Sequence, residues 1–333
     1  MLGAGTGVGL AVATRHKPKK SAVVVPPAPS TTAAPSGPPC PLTGVAAPGG
    51  SVPQRPALAI KVDNYPAARP QSGLDKADIV FEEPVEGGIT RLVAVFQCQE
   101  ASSVGDIRSA RAVDVQILDE LSKPLFVHAG GIAPVISLLA QGNLIDENVF
   151  DHESIVTLDP NRVAPYSTYT STAQAWALDP SDTTPPAPIF TYSKTIPAGM
   201  AISSIHIPYS GTNDNTWVWS SSADQWQLEF SGQPALLSDG NQIGATNVVV
   251  QSVSVTYGPW VESGCCALEV QSQMTGSGPL LVLRNGEEIT GTWQRSSLSD
   301  ATSLLASNGT TIPLDPGNTW VEIVPDSITV TPG

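Results

Sequence analysis

Ala57-Leu58-Ala59-Ile60-Lys61-Val62, Asp78-Ile79-Val80-Phe81-Glu82, Arg91-Leu92-Val93-Ala94-Val95-Phe96-Gln97-Cys98 and Pro124-Leu125-Phe126-Val127-His128 are four short runs dominated by Val, Ile, Leu and Phe. Runs of that length and composition predict strands. Around the last of them, apolar residues recur every three to four positions over residues 110–121 and 132–140, and residues 172–178 repeat the pattern. That spacing predicts helices. Strand and helix alternating in this order predict an α/β layer whose sheet is covered, at least in part, on both faces.

Downstream the pattern changes. Pro180, Pro185, Pro186, Pro188 and Pro197 crowd the stretch between residues 179 and 197, which predicts a domain boundary. Beyond it, short alternating runs at 202–208, 216–220, 225–230, 247–257, 268–274, 280–284, 288–294 and 320–324 are separated by turn signals such as Ser238-Asp239-Gly240-Asn241. The fold expected is therefore α+β, with an α/β-layer domain over residues 41–184 followed by a mostly antiparallel β domain over 198–333. Trp217, Trp219, Trp226, Trp293 and Trp320 fall in the predicted strands, where a large ring is more often core than ligand platform.

Upstream, the 12 residues 2–13 are apolar and glycine-rich and are followed by Arg15-His16-Lys17-Pro18-Lys19-Lys20. The run is short of the ~20 residues a spanning helix needs. It is expected to be part of an N-terminal membrane segment, with a leader as the alternative, and residues 21–40 to be a Pro-rich spacer lifting the domains off a membrane. Past residue 40 the chain has twelve basic and thirty acidic side chains, a net of −18 against −14 overall. Such a surface repels phosphates, which excludes nucleic acid as a partner. Low charge content and abundant Pro, Gly, Ser and Thr fit an extracytoplasmic protein, tethered or secreted, touching the membrane only through its N-terminal segment. Cys40, Cys98, Cys265 and Cys266 allow three pairings, of which Cys40–Cys98 is favoured because the two flank the opening segment and third strand of the first domain. Cys265 and Cys266 are adjacent and keep their pairing open.

Arginine is scarce and clustered. Of eight arginines past residue 40, four (Arg69, Arg91, Arg108 and Arg111) fall between residues 63 and 111, about a sixth of that length. Guanidinium groups are suited to bidentate contacts with carboxylate or phosphate, so the cluster predicts an anion held near Arg108-Ser109-Ala110-Arg111, where Ser109 is placed to cap the coming helix. The anion is either internal, from Asp63, Glu82, Glu83 or Glu86, or a ligand's. His128, followed by Gly130 and Gly131, stands at the carboxyl end of a strand, where ligand crevices form in α/β sheets. No phosphate-loop, dinucleotide-binding, zinc-helix or nucleophile-elbow motif is present, so neither a cofactor nor a metal is expected.

Three runs in this stretch carry a resemblance. Asp63-Asn64-Tyr65-Pro66 with Ala68-Arg69-Pro70-Gln71-Ser72-Gly73-Leu74, Glu86-Gly87-Gly88-Ile89-Thr90-Arg91 and Arg108-Ser109-Ala110-Arg111 resemble the YerB-like family of bacterial extracytoplasmic lipoproteins. Gly291-Thr292-Trp293-Gln294-Arg295 and Pro316-Gly317-Asn318-Thr319-Trp320-Val321-Glu322 extend the resemblance to that family's C-terminal domain. It implies a two-domain envelope protein and supplies no reaction. Two departures stand out: Cys40 follows Ser36-Gly37-Pro38-Pro39 rather than a lipobox, and Pro165-Tyr166-Ser167 stands where the family shows Pro-His-Asn.

Two functions are expected from these residues. The first is a non-catalytic binding protein that holds a cell-wall fragment, an anionic small molecule or an envelope protein at Asn64, Arg69, Arg91, Arg108, Ser109, Arg111, His128, Gly130 and Gly131. The second is a cell-wall glycan hydrolase pairing Glu86 with Asp63 or Glu82, since such enzymes use two carboxylates at a fixed separation. Glu82 and Glu83, adjacent on a strand, point to opposite faces, so at most one joins Glu86.

Overall fold

The computed structural model describes residues 3–11, 37–195, 199–262 and 267–333. Residues 3–11 are exposed and without regular structure. Residues 21–36 of the spacer, most of the leader and Cys265-Cys266 lie outside the described residues. No helix among the described residues is long and apolar enough to cross a membrane. The described residues from 37 onward form one compact unit.

The molecule is mostly β. Its centre is a large sheet built from β1 (Leu58–Asp63), β2 (Ile79–Val85), β3 (Ile89–Phe96), β4 (Leu125–His128) and β5 (Ile145–Asn148) of the first half. The second half adds β6 (Asn247–Val253), β7 (Gly276–Arg284), β8 (Glu287–Arg295), β9 (Ser303–Ala306) and β10 (Thr319–Pro325). The order across the sheet is β9-β8-β7-β6-β10-β2-β3-β1-β4-β5. The last long strand, β10, runs parallel to β6 on one side and parallel to β2 on the other. Strands from before and after the proline-rich stretch therefore share one sheet.

Strand alternation sorts the side chains into two cores. Leu58, Ile60 and Val62 of β1, with Val80, Leu92, Trp320 and Val248, face one side, where Trp217, Trp226 and Leu228 of a small antiparallel sheet pack on them. Ala59, Phe81, Val93, Val95 and Val321 face the other side and meet Val113, Ile117 and Leu118 of α1 (Ala112–Leu118) and Val135 and Leu139 of α2 (Ala133–Leu139). Both faces of the central strands are dry, which is why they read as continuous apolar runs.

Two expectations shift. The run at 247–257 splits, because β6 stays in the large sheet while Val255–Val261 leaves it to pair with Leu268–Ser272 as a separate hairpin. The helix expected at 110–121 begins at Ala112, where Arg111 supplies the capping position and its backbone N–H donates to Asp114 at 2.7 Å. Ser109 is not the cap. The predicted disulfide is present: Cys40 and Cys98 are bonded, with Cα atoms 6.1 Å apart. The Cys40 sulfur is thereby occupied.

Candidate functional site

The register of β1, β2 and β3 places Glu83, Arg91 and Asp63 in one row across the helix-covered face. Directly beneath, Lys61 donates to Glu83 and, at 2.6 Å, to Asp114 of α1, all three side chains being buried. Burial, then the neighbouring Asp114 charge, push Glu83 up to about 7 against the pull of Lys61. The row is thus anchored on a buried ion triad, and removing one partner of such a set costs about 3–5 kcal/mol.

Residues 106–111 close over this row. Arg108 N–H donates to the Lys61 carbonyl at 2.9 Å, and Ala110 N–H donates to the Gly130 carbonyl at 2.9 Å, so the segment is laid along β1 and pinned to the turn after β4. Arg108 then reaches Asp63, Nε to Oδ2 at 2.8 Å. Arg111 grips Glu86 with two nitrogens, Nε to Oε2 at 2.7 Å and Nη2 to Oε1, and lies 3.3 Å from Glu262. Burial works to raise the Glu86 carboxyl, but the hydrogen bond and charge of Arg111, with Arg91 behind it, hold it below its ordinary value. Arg91 donates through Nη1 to the Ser109 carbonyl at 2.9 Å and sits 3.6 Å from Glu86, while its buried Nε has no hydrogen-bond acceptor among the described residues. Burial and the adjacent Arg111 charge bring its pKa down to about 10, so it stays cationic at neutral pH.

These groups line a cleft of about 520 Å³ whose rim carries Tyr65 and Tyr166. The two rings stack, centroids 6.2 Å apart at 12°, and the Arg108 guanidinium lies 5.9 Å from the Tyr166 centroid. Arg91, Arg108, Ser109, Arg111, Asp63 and Glu86 come together here as the sequence suggested. Tyr65, Tyr166 and Glu262 were not singled out as site residues. Tyr65 lies inside a quoted motif and Tyr166 marks a departure from the family pattern, whereas Glu262 gave no signal, its position being set by a hairpin some 150 residues away in sequence.

Other expected residues are elsewhere. His128 is buried, its Nδ1 2.9 Å from the Gly130 carbonyl and its Nε2 2.6 Å from Asp146, and it does not line the cleft. Gly130 and Gly131 line an adjoining cleft instead. Asn64, Arg69 and Glu82 belong to the opposite face. There Glu82 and Glu322 are register partners on β2 and β10. Glu82 accepts from Asn64 (3.1 Å), Thr90 (2.7 Å), Asn215 (3.0 Å) and Trp320 (3.2 Å). Glu322 accepts from Trp217 (2.6 Å) and Tyr209 (3.0 Å). Arg69 donates to the Asn64 side chain at 3.1 Å and lies 3.5 Å over the Phe230 ring. Burial raises both carboxyls, and the neighbouring Glu82 charge raises Glu322 further. Glu82 therefore cannot share a cleft with Glu86, because the sheet lies between them. Asp63 and Glu86, the pair left for a hydrolase, are each held by a guanidinium.

The chain matches the family models for the N-terminal domain of the protein of unknown function DUF3048 over residues 42–184 and for its C-terminal domain over residues 205–321. It belongs to the DUF3048, or YerB-like, family. It is 30% identical over 299 residues, 86% of either chain, to a protein of Bacillus subtilis (strain 168) named "Putative lipoprotein YerB". The crystal structure of the Bacillus subtilis YerB protein superimposes with a TM-score of 0.75 at 24% identity, covering 88% of this chain and 99% of that one. The fold is shared with that structure.

Proposed function

We propose that this chain is an envelope protein held outside the cytoplasmic membrane, whose arginine cleft binds an anionic group of a cell-wall fragment, a small molecule or a partner protein. The assignment goes with an α+β architecture in which the N-terminal half, covered by α1 and α2, carries the site. Extracytoplasmic placement is supported by the Cys40–Cys98 disulfide, since such bonds persist in oxidising compartments, and by the name of the Bacillus subtilis relative. The observation that carries the binding reading is Arg91: a buried guanidinium on the cleft wall with an N–H lacking an acceptor among the described residues. Buried donors left unpaired are costly, and an incoming oxyanion relieves that cost.

The hydrolase reading has less support, because neither Asp63 nor Glu86 is free of arginine. The test is calorimetric titration of the full chain with muramidase-released cell-wall fragments. Arg108→Ala is expected to weaken binding by about ten- to a hundredfold, the worth of one charge-assisted hydrogen bond. Undiminished affinity in a folded Arg108→Ala protein would remove the cleft as the binding site.

A further inference from the structure

Arg108 and Ser109 form the ridge between two clefts. On the far side from the arginine row, Ile107, Ile132, Ile136, Phe150 and Pro165, with Gly130 at the base, line a second cavity of about 590 Å³, and Arg108, Ser109 and Glu262 belong to the lining of both. Phe150 is 69% exposed, and its ring lies against Gly130, where a Cβ would stand 3.1 Å from Phe150 Cε2. Gly130 has φ +70, so the turn and the ring's seat both favour glycine. Asn148 Oδ1 is already used there: it accepts from Gly130 N–H at 3.1 Å and from Phe150 N–H at 3.3 Å. Glu262 faces Arg111, so its charge is countered at the mouth. The second cleft thus offers apolar surface immediately beside a guanidinium that is 28% exposed.

We propose that the arginine cleft and its neighbour hold a single amphiphilic ligand, with one anionic group at Arg91 and Arg108 and an apolar arm against Ile132, Ile136 and Phe150. This rests on the anion-binding reading above and names the ligand class. A polyanion is disfavoured by the −18 carried past residue 40, and a polyhydroxyl arm would leave the apolar wall of Ile107, Ile132, Ile136, Phe150 and Pro165 unused. A single charge joined to a hydrocarbon or flat ring matches both halves, and an exposed aromatic in a concave apolar wall is a common mark of a ligand groove.

The experiment titrates the full chain with acetate, butyrate, hexanoate and octanoate below micelle-forming concentrations, with octanol as the uncharged control. Affinity is expected to rise about three- to fourfold per methylene until the second cleft is filled. Phe150→Ser, at an exposed position, flattens that rise, and Arg108→Ala lowers the whole series. Arg108-dependent binding that does not grow with chain length, or octanol binding as tight as octanoate, overturns the amphiphile and leaves the anion cleft standing. Carboxylate binding that is absent, or indifferent to Arg108→Ala, overturns the anion reading itself.

Discussion

The two faces of the large sheet solve the same problem in opposite ways. On one face Glu82 and Glu322, side by side on parallel strands, are surrounded by neutral donors from Asn64, Thr90, Asn215, Trp217, Tyr209 and Trp320, and the region is closed. On the other face Asp63 and Glu86 are matched by Arg108 and Arg111, a third arginine stands between them with an N–H unpaired among the described residues, and the region opens into a cleft. Neutral donors around buried acids stitch the two halves of the chain together. Guanidinium groups around cleft acids keep charge available at a surface. A conspicuous motif can serve either end, and only its facing tells which.

The largest expected effect tests the closed face. Trp217→Ala removes a fully buried ring and the donor to Glu322, and should cost about 3–5 kcal/mol in urea unfolding while leaving cleft binding unchanged in whatever fraction remains folded. A loss below about 1 kcal/mol would mean that the network does not hold the small sheet to the large one.

Next comes the sign of the pH dependence, which should differ between the Glu82–Glu322 pair and Glu86. Glu82 and Glu322 have folded-state pKa values raised above the unfolded ones, so the folded state binds more protons, and their contribution to stability is full below about 4.5 and is lost as pH rises. Glu86 is lowered, so its contribution is present above about 4.5 and is lost as pH falls. Glu322→Gln should flatten the alkaline fall by up to about 1.4 kcal/mol per pH unit, and Glu86→Gln should flatten the acid fall. Thermal midpoints from pH 3 to 9 read both, and the same slope change in the two variants would erase the distinction.

Smaller effects belong to the cleft. Arg108→Ala should change stability by about 1 kcal/mol or less, since its ion pair is part-exposed and Asp63 keeps the Tyr65 N–H, yet it should abolish most anion binding. Tyr166→Ala should be nearly silent in unfolding, and by ligand titration should lower affinity only several-fold, as loss of a rim contact.

Legibility in the sequence followed the range of the interaction. Strands β1 to β4, helices α1 and α2, and most strands of the second half were marked by local periodicity. β5 and β9 were missed, the first because Ile145-Asp146-Glu147-Asn148 lacks the apolar run of a buried strand. The opposite facing of Glu82 and Glu83 followed from strand geometry alone. That Asn64 and Arg69 would turn away from Asp63, and that His128 would be buried against Asp146, did not follow, because each depends on which neighbour the strand pairs with.

Composition and short-range spacing therefore determined the acidic character and the gathering of arginines near residues 91–111, and favoured Cys40–Cys98 among three pairings. Tertiary structure alone decided that Thr319–Pro325 lies beside Ile79–Val85, joining two sequence halves into one sheet, and that the motifs of both halves divide between a closed network and an open cleft. Alternation along a strand is written in a few consecutive residues. Pairing between strands some 240 residues apart is a choice among distant partners that no local pattern encodes.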